Sequence, residues 1–330
     1  MLEDNRSPLE HPLHLKTPLL WSPELSEKSG LNIWLKLENT QSTASYKIRG
    51  IGHMLQNAVK NGCKHIISSS GGNAGMASAY AAKIMGVPCT VIVPVTTAPF
   101  MIEKIKHIAT NVEVFGQSWD EANGRAMEMA KQPGTFLAHP FDHPDIWEGH
   151  STMIDEIIQQ LHGRTLDVIV VSVGGGGLLC GLLKGLHKHN LQHVPVVTME
   201  TVGAMSFNIC VKSGKHIGLD KVDTIAKTLA VKKIAQRTFE WIGQHKPIIS
   251  RLCTDKEAVK ACMDFAEDHR FLVSPACGAA LNPIYDGTLT KLQKEGLLPE
   301  GKLNVAVVVC GGNEVDLVEV ARWKQLFGFA

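Results

Sequence analysis

Lys47 stands in the run Ser45-Tyr46-Lys47-Ile48-Arg49-Gly50, and three glycine-centred runs accompany it: Ser70-Gly71-Gly72-Asn73, Gly174-Gly175-Gly176-Gly177 and Cys310-Gly311-Gly312-Asn313. Each of the three follows a strand-like stretch. A lysine amine can form a Schiff base with a carbonyl compound. Glycines after a strand leave backbone N–H groups uncovered, and such a nest holds a phosphate. Pyridoxal phosphate (PLP) needs both an amine and a phosphate nest.

Gly174, Gly175, Gly176 and Gly177 end a very apolar strand, and the chain continues as a helix through Leu178-Leu179-Cys180. A turn of this kind aims its N–H groups and a helix N-terminus at an anion. A tight strand-to-helix turn would also explain glycine here, but it does not need four in a row. The dinucleotide pattern fails, because the third glycine, Gly181, falls at the wrong offset. A Walker loop fails too, since no Gly-Lys-Ser/Thr follows.

Ser70, Gly71, Asn73 and Ala74 also lie where a strand gives way to a helix. Their backbone donors, with the Ser70 and Asn73 side chains, suit a carboxylate, while Ser or Asn there equally serves as a routine helix cap. Lys47 alone carries little weight, because most lysines are solvated; its small and aromatic neighbours are less typical of an exposed lysine. Arg49 reads as an ion-pair partner or a neighbour that helps position the site. Cys310 ends an apolar strand and is either a buried thiol or part of the site. Glu200, at another strand end, is open to a catalytic, a metal-binding or a capping role. His139, His143 and His150 have no metal spacing and receive no role.

The elements that must position these residues alternate. Strand-like runs at 65–69, 89–93, 112–115, 167–173, 194–199 and 304–309 alternate with helix-like stretches such as 74–85 and 100–109. Short, continuous β-branched runs between helices suit parallel strands buried on both faces. The fold class is therefore α/β, with two open, mostly parallel twisted sheets flanked by helices. The strands near 66, 91 and 113 make one sheet, and those near 169, 197 and 307 the other. The Pro-rich stretches 8–12 and 134–144 read as connections. The expected division is a large domain of 1–40 and 144–330 and a small domain of 41–143. In open parallel sheets, ligands collect beyond the carboxyl ends of the strands, where all three glycine runs fall.

A chain of 330 residues has room for two such lobes. Its 44% hydrophobic and 20% charged content is that of a globular enzyme, not of a disordered chain. A net charge of +1 gives no general attraction to nucleic acid or anionic lipid. The N-terminus starts acidic and lacks the apolar stretch of a signal peptide, and no run is long enough to span a bilayer. The eight cysteines are irregularly spaced without C-x-x-C, as expected of buried free thiols in a reducing cytosol.

Taken together, these residues resemble the serine/threonine dehydratase family of PLP enzymes, of the tryptophan-synthase-β fold type (PLP fold type II), and especially its animal serine dehydratase branch. The likeness runs nearly end to end, from Lys16-Thr17-Pro18-Leu19-Leu20 through Phe141-Asp142 and Ile146-Trp147-Glu148-Gly149-His150 to Cys310-Gly311-Gly312-Asn313. Pro275-Ala276-Cys277-Gly278-Ala279-Ala280 narrows it toward the animal type.

The resemblance implies roles. Lys47 would be the Schiff-base lysine, Asn73 would bond the 3′-oxygen of the pyridine, Gly174 to Gly177 with Leu178 would hold the phosphate, and Cys310 would face the pyridine nitrogen. Ser70, Gly71, Asn73 and Ala74 would receive the substrate carboxylate. A monovalent cation, usually potassium, would sit near Gly174, Glu200, Ala204, Ser206, Leu229 and Val231. The implied activity is α,β-elimination from L-serine or L-threonine, giving pyruvate or 2-oxobutanoate and ammonia, in cytoplasmic amino-acid catabolism that feeds gluconeogenesis. The implied partner set is an amino-acid substrate and a second copy of the chain in a homodimer.

Several positions depart from the family pattern. Ala44 stands where a glycine is common, Tyr46 where phenylalanine is common, and Gly71 where the more active serine dehydratases carry alanine. Gly71 is expected to leave open space beside the substrate; family racemases carry serine there, so racemisation is not expected. No regulatory C-terminal domain is expected either. The rival readings are β-replacement, as in cysteine synthase, a PLP-binding regulatory protein with little turnover, and a nucleotide-binding protein using the tetraglycine turn.

Overall fold

The computed structural model describes residues 7–329 and divides into two compact units. One takes the chain up to Leu15 and Gln41–His150; the other takes Lys16–Thr40 and the chain from Ser151 onward. Strands are numbered β1–β10 and helices α1–α13 along the chain.

The larger unit is built on β1 (Leu19–Trp21), β2 (Asn32–Lys36), β7 (Val168–Ser172), β8 (Val196–Thr201), β9 (Ile248–Cys253) and β10 (Asn304–Val308), in the order β1-β2-β10-β7-β8-β9. Only β1 runs antiparallel. Every residue of β7 and β8 is buried, so neither strand shows the alternation of a half-exposed one; β7 is apolar up to Ser172, while β8 also buries Thr198, Glu200 and Thr201. The helices wholly within this unit are α1 (Pro23–Ser29), α7 (Gly177–Lys188), α8 (Ser206–Ser213), α9 (Gln236–Gln244), α10 (Asp255–His269), α11 (Pro275–Tyr285), α12 (Thr288–Lys294) and α13 (Leu317–Phe327).

The smaller unit holds β3 (His65–Ser68), β4 (Cys89–Val93), β5 (Asn111–Val114) and β6 (Thr135–Ala138), all parallel, in the order β5-β4-β3-β6. Its helices are α2 (Lys47–Lys60), α3 (Asn73–Met85), α4 (Pro99–Lys106) and α5 (Trp119–Met129); α6 (Pro144–Gln160) begins here. Side chains alternate across the sheet. Ile66, Val91 and Val93 face a core with Ile48, Ile51, Ala77 and Ala81 of α2 and α3. Ile67 and Ile92 face the other side, against Ala122 and Ala126 of α5.

Two boundaries differ from the sequence expectation, which placed 1–40 and 144–330 together. The Pro-rich N-terminal stretch binds to the smaller unit: Gln56 Nε2 donates to Pro8 O and His11 O at 2.7 and 2.6 Å, and the Gln41 amide bonds both the N–H and the carbonyl of Leu15. Leu13 and Ile146 pack into the core of that unit. The stretch 134–144 is not simply a connection either, since it contains β6. The sequence also passed over β1, β2 and β9. β1 is a three-residue, largely exposed edge strand, and β2 beside it mixes polar with apolar residues.

Helices α2 and α6 touch backbone to backbone. A Cβ on Gly149 would lie 2.2 Å from Arg49 O, and one on Gly50 would lie 2.6 Å from Ile146 O. Because only glycine permits this approach, Gly149→Ala should destabilise the protein by about 2–3 kcal/mol. Gly124→Ala, in open space on α5, should instead stabilise it by up to about 1 kcal/mol. Urea denaturation of both variants checks the contrast.

Candidate active site

Lys47 is the first residue of α2. The turn before it closes through Ala44, whose N–H donates to Gln41 O at 2.7 Å. Ala44 has φ +50°, in the left-handed region that costs a residue with a Cβ about 1–2 kcal/mol. The backbone keeps the turn that glycine would make without strain. Ser45 Oγ accepts the Lys47 N–H at 3.3 Å. The Lys47 side chain is half-buried; its Nζ donates to Pro140 O at 2.6 Å and stands 5.4 Å from the Tyr46 ring centroid.

Behind Lys47 the side chains are buried. Arg49 is fully buried, with Nη2 3.4 Å from Leu15 O. The His150 ring tilts against Tyr46 at 5.0 Å, and neither ring nitrogen has a hydrogen-bond partner. Burial, then the charges of Lys47, Arg49 and His14, hold its pKa well below the ordinary value. A neutral imidazole adds no second positive charge beside the lysine. His139 and His143 serve turns, accepting N–H groups of Asp142 and Asp145 at 2.7 and 3.2 Å.

The Ser70–Ala74 loop joins β3 to α3 in the same unit. Ser70 Oγ accepts the Gly72 N–H at 3.3 Å, and the chain folds back so tightly that a Cβ on Gly75 would sit 1.8 Å from Ser70 O. Gly72 caps α3 and, having no side chain, gives the first-turn N–H groups no cap hydrogen bond. Gly71 corrects an expectation. A Cβ there would not enter open space beside a substrate; it would meet Thr97 Cγ2 at 2.6 Å, Thr97 Oγ1 at 2.8 Å and Val93 Cγ1 at 3.2 Å.

The tetraglycine turn lies in the larger unit, between β7 and α7. Gly176 has φ +93° and caps α7. Neighbouring atoms occupy the places where side chains would be: Thr238 Oγ1 lies 2.0 Å from a Cβ built on Gly176, and Thr228 O lies 2.9 Å from one on Gly174. The Ala235 N–H donates to Gly175 O at 3.0 Å. These contacts hold the turn from behind and leave the first-turn N–H groups of α7, including those of Gly177 and Leu178, without intrahelical acceptors.

Cys310 follows β10, which pairs with β7, so it comes beside the strand that leads into this turn. Its Sγ lies 3.8 Å from Ser172 Oγ and hydrogen-bonds the Cys277 thiol. That hydrogen bond and burial hold its pKa well above the ordinary thiol value, so Cys310 is a neutral thiol. Ser274, just before α11, donates from Oγ to Gly311 O at 2.9 Å and fixes the strand end.

Glu200 is fully buried near the end of β8. Its two oxygens accept the Phe207 and Asn208 N–H groups of α8 at 2.8 and 2.7 Å, so it does cap a helix. Burial nevertheless pushes its pKa up to about 8, against the pull of those two bonds. Ser206 Oγ, in the same turn, is buried without a hydrogen-bond partner. Ala204 is buried in the preceding 3-10 turn, and Leu229 lies against Gly174. Val231 is half-buried two residues further on. Among the described residues, no group of three or more His, Cys, Asp or Glu side chains could hold a metal ion.

The structure thus gathers Lys47 and the Ser70–Ala74 loop in one unit, and the glycine turn, Cys310 and the Glu200 cluster in the other. Sequence reasoning missed Pro140, Thr97 and Thr238. None of them carries a signal of its own, because each matters through what it touches. Cys277 was visible as part of a motif but had no role.

The chain matches the model of the pyridoxal-phosphate dependent enzyme family over residues 11–311. It is 44% identical over 319 residues to the human serine dehydratase-like protein, covering 97% of this chain and 96% of the relative. It is 43% identical over 317 residues to mouse L-serine dehydratase/L-threonine deaminase, covering 96% of each. A fungal L-serine ammonia-lyase from Rhizomucor miehei superposes with a TM-score of 0.89 at 31% identity, covering 96% of this chain and 100% of that one.

The contact between Gly71 and Thr97 yields a testable outcome. Gly71→Ala should destabilise the protein by about 1–3 kcal/mol through overpacking. Adding Thr97→Ala, which removes both close atoms, should restore at least half of the loss. Urea denaturation of the single and double variants measures this; additive losses would contradict it.

Proposed function

We propose that this chain, which belongs to the pyridoxal-phosphate-dependent enzyme family, removes ammonia from L-serine or L-threonine by α,β-elimination and leaves a 2-oxo acid. The observation that carries the reading is Lys47. It is a half-buried amine at a helix start, held by Pro140 O, in a chain that also contains a phosphate-type glycine turn. The names of the relatives support the substrate class.

The residues present fit PLP. The glycine turn is close-packed from behind by Thr238, Thr228 and Leu229, and its N–H groups with the α7 N-terminus suit a phosphate. Bound there, PLP would supply an electron sink for the carbon that loses its proton. Gly174 to Gly177 and Leu178 would hold the phosphate, Asn73 would bond the 3′-oxygen, and Cys310 would face the pyridine nitrogen. A neutral thiol does not lend that nitrogen a charge partner, as a carboxylate would, and this favours prompt loss of the β-hydroxyl. Ser70, Gly71, Asn73 and Ala74 would orient the substrate carboxylate at the α3 N-terminus. Lys47 Nζ, once neutral, would take the Cα proton. The neutral His150 ring keeps a second cation away from that amine.

The Glu200 cluster fits a monovalent cation. A fully buried carboxylate without a countercharge is costly, and Ser206 Oγ beside it lacks a partner. Carbonyls of Gly174, Ala204, Leu229 and Val231 would complete an oxygen donor set of the kind hard cations prefer. Leu229 backs Gly174, so the cation would stiffen the phosphate turn. A homodimer rests on resemblance alone. A cytoplasmic location is in keeping with eight unpaired cysteines and no helix, among the described residues, able to cross a membrane.

Borohydride treatment should fix the cofactor covalently to the peptide containing Lys47 and abolish 2-oxo acid release. Lys47→Ala should show neither fixed cofactor nor turnover. An active Lys47→Ala variant, or fixation at another lysine, would overturn the assignment.

Potassium should raise Tm by several degrees relative to tetramethylammonium at equal ionic strength. Glu200→Gln should lose that difference. An unchanged potassium response in the variant contradicts the proposed site.

A further inference from the structure

The loop that backs the glycine turn carries little regular structure, yet it places Thr228 and Leu229 against Gly174 and sends the Ala235 N–H to Gly175 O. Its anchor is a chain of hydrogen bonds. Thr224, almost fully buried, donates from Oγ1 to Asp255 Oδ1 at 2.5 Å and accepts the Ala226 N–H at 3.0 Å. That uses the single hydroxyl hydrogen of Thr224. Thr201 Oγ1, 2.9 Å away, must therefore be a donor to it. Asp255 Oδ2 accepts the Ile225 N–H at 2.9 Å. The end of β8, the loop and the start of α10 are thus joined. Close by, Asp223 N–H donates to Gly203 O at 2.9 Å, and a Cβ on Gly203 would lie 1.7 Å from Asp223 O.

Asp255 is not needed to cap its own helix. Thr254 is the N-cap of α10, and a reciprocal box with Glu257 already satisfies that end: Thr254 Oγ1 accepts the Glu257 N–H at 3.2 Å, and Glu257 Oε2 accepts the Thr254 N–H at 2.7 Å. Both carboxylate oxygens of Asp255 are directed to the loop instead.

We propose that Asp255, acting through Thr224 and Ile225, is a positioning residue for the loop behind the phosphate-binding turn, and so sets how tightly the chain holds PLP. This rests on the cofactor reading above. Groups that orient a binding site from behind typically change affinity by about tenfold or more when removed.

The test uses the full chain freed of cofactor and titrated with PLP, followed by the visible absorbance of the bound form. Asp255→Ala, Asp255→Asn and Thr224→Val should each raise the Kd for PLP about tenfold. The Asp255→Ala/Thr224→Val double variant should be little worse than either single one, because both remove the same link. Glu257→Ala, which breaks the capping box in the same first turn of α10, should lower Tm and leave the Kd within twofold. The inference is overturned if Thr224→Val and Asp255→Asn bind PLP within twofold of wild type, or if Glu257→Ala weakens binding equally. A wild-type chain that takes up no PLP overturns the cofactor reading itself, and the inference with it.

Discussion

Backbone N–H groups at the end of a buried strand must be left without side-chain cover, and the rest of the site follows from that constraint. A phosphate can be held by main-chain donors only where no Cβ stands in front of them. The chain has glycine at 174 to 177, and Thr228 and Leu229 lie where a side chain on Gly174 would be, Thr238 where one on Gly176 would be. The turn is therefore close-packed on one side and open in hydrogen-bonding capacity on the other. The same device appears in the smaller unit. Gly75 lies against Ser70 O, and Gly72 caps α3 without a side chain.

Charge is managed by burial rather than by ion pairs at these positions. Cys310 remains a thiol because Cys277 and the apolar surroundings oppose its ionisation. His150 remains neutral because it is buried beside Lys47 and Arg49. Glu200 follows the same rule: burial raises its pKa to about 8, which two backbone N–H bonds only partly oppose. In all three, burial disfavours the charged form.

Much of this was legible in the sequence for a physical reason. Strands buried on both faces are rich in apolar, β-branched residues, so β4, β7, β8 and β10 stood out, and glycine runs stood out after β7 and β10. The grouping of strands into two sheets followed. β1 was missed because it is only three residues long, β2 because it mixes polar with apolar residues, and β6 because it lay in a Pro-rich stretch. The N-terminal stretch was assigned to the larger unit because sequence does not reveal that Gln41 and Gln56 bind its carbonyls. Gly71 was misread for a similar reason. A glycine announces that a side chain is missing but not what fills its place, and here Thr97 does. Ala44 shows the converse, since the left-handed turn survives the loss of its glycine.

The most direct measurement is the fate of L-serine and L-threonine given to the purified protein with no other co-substrate. The account predicts 2-oxo acid and ammonia in equal amounts, with no change of configuration in the amino acid that remains. A requirement for an added nucleophile, with an amino acid as the product, would contradict it.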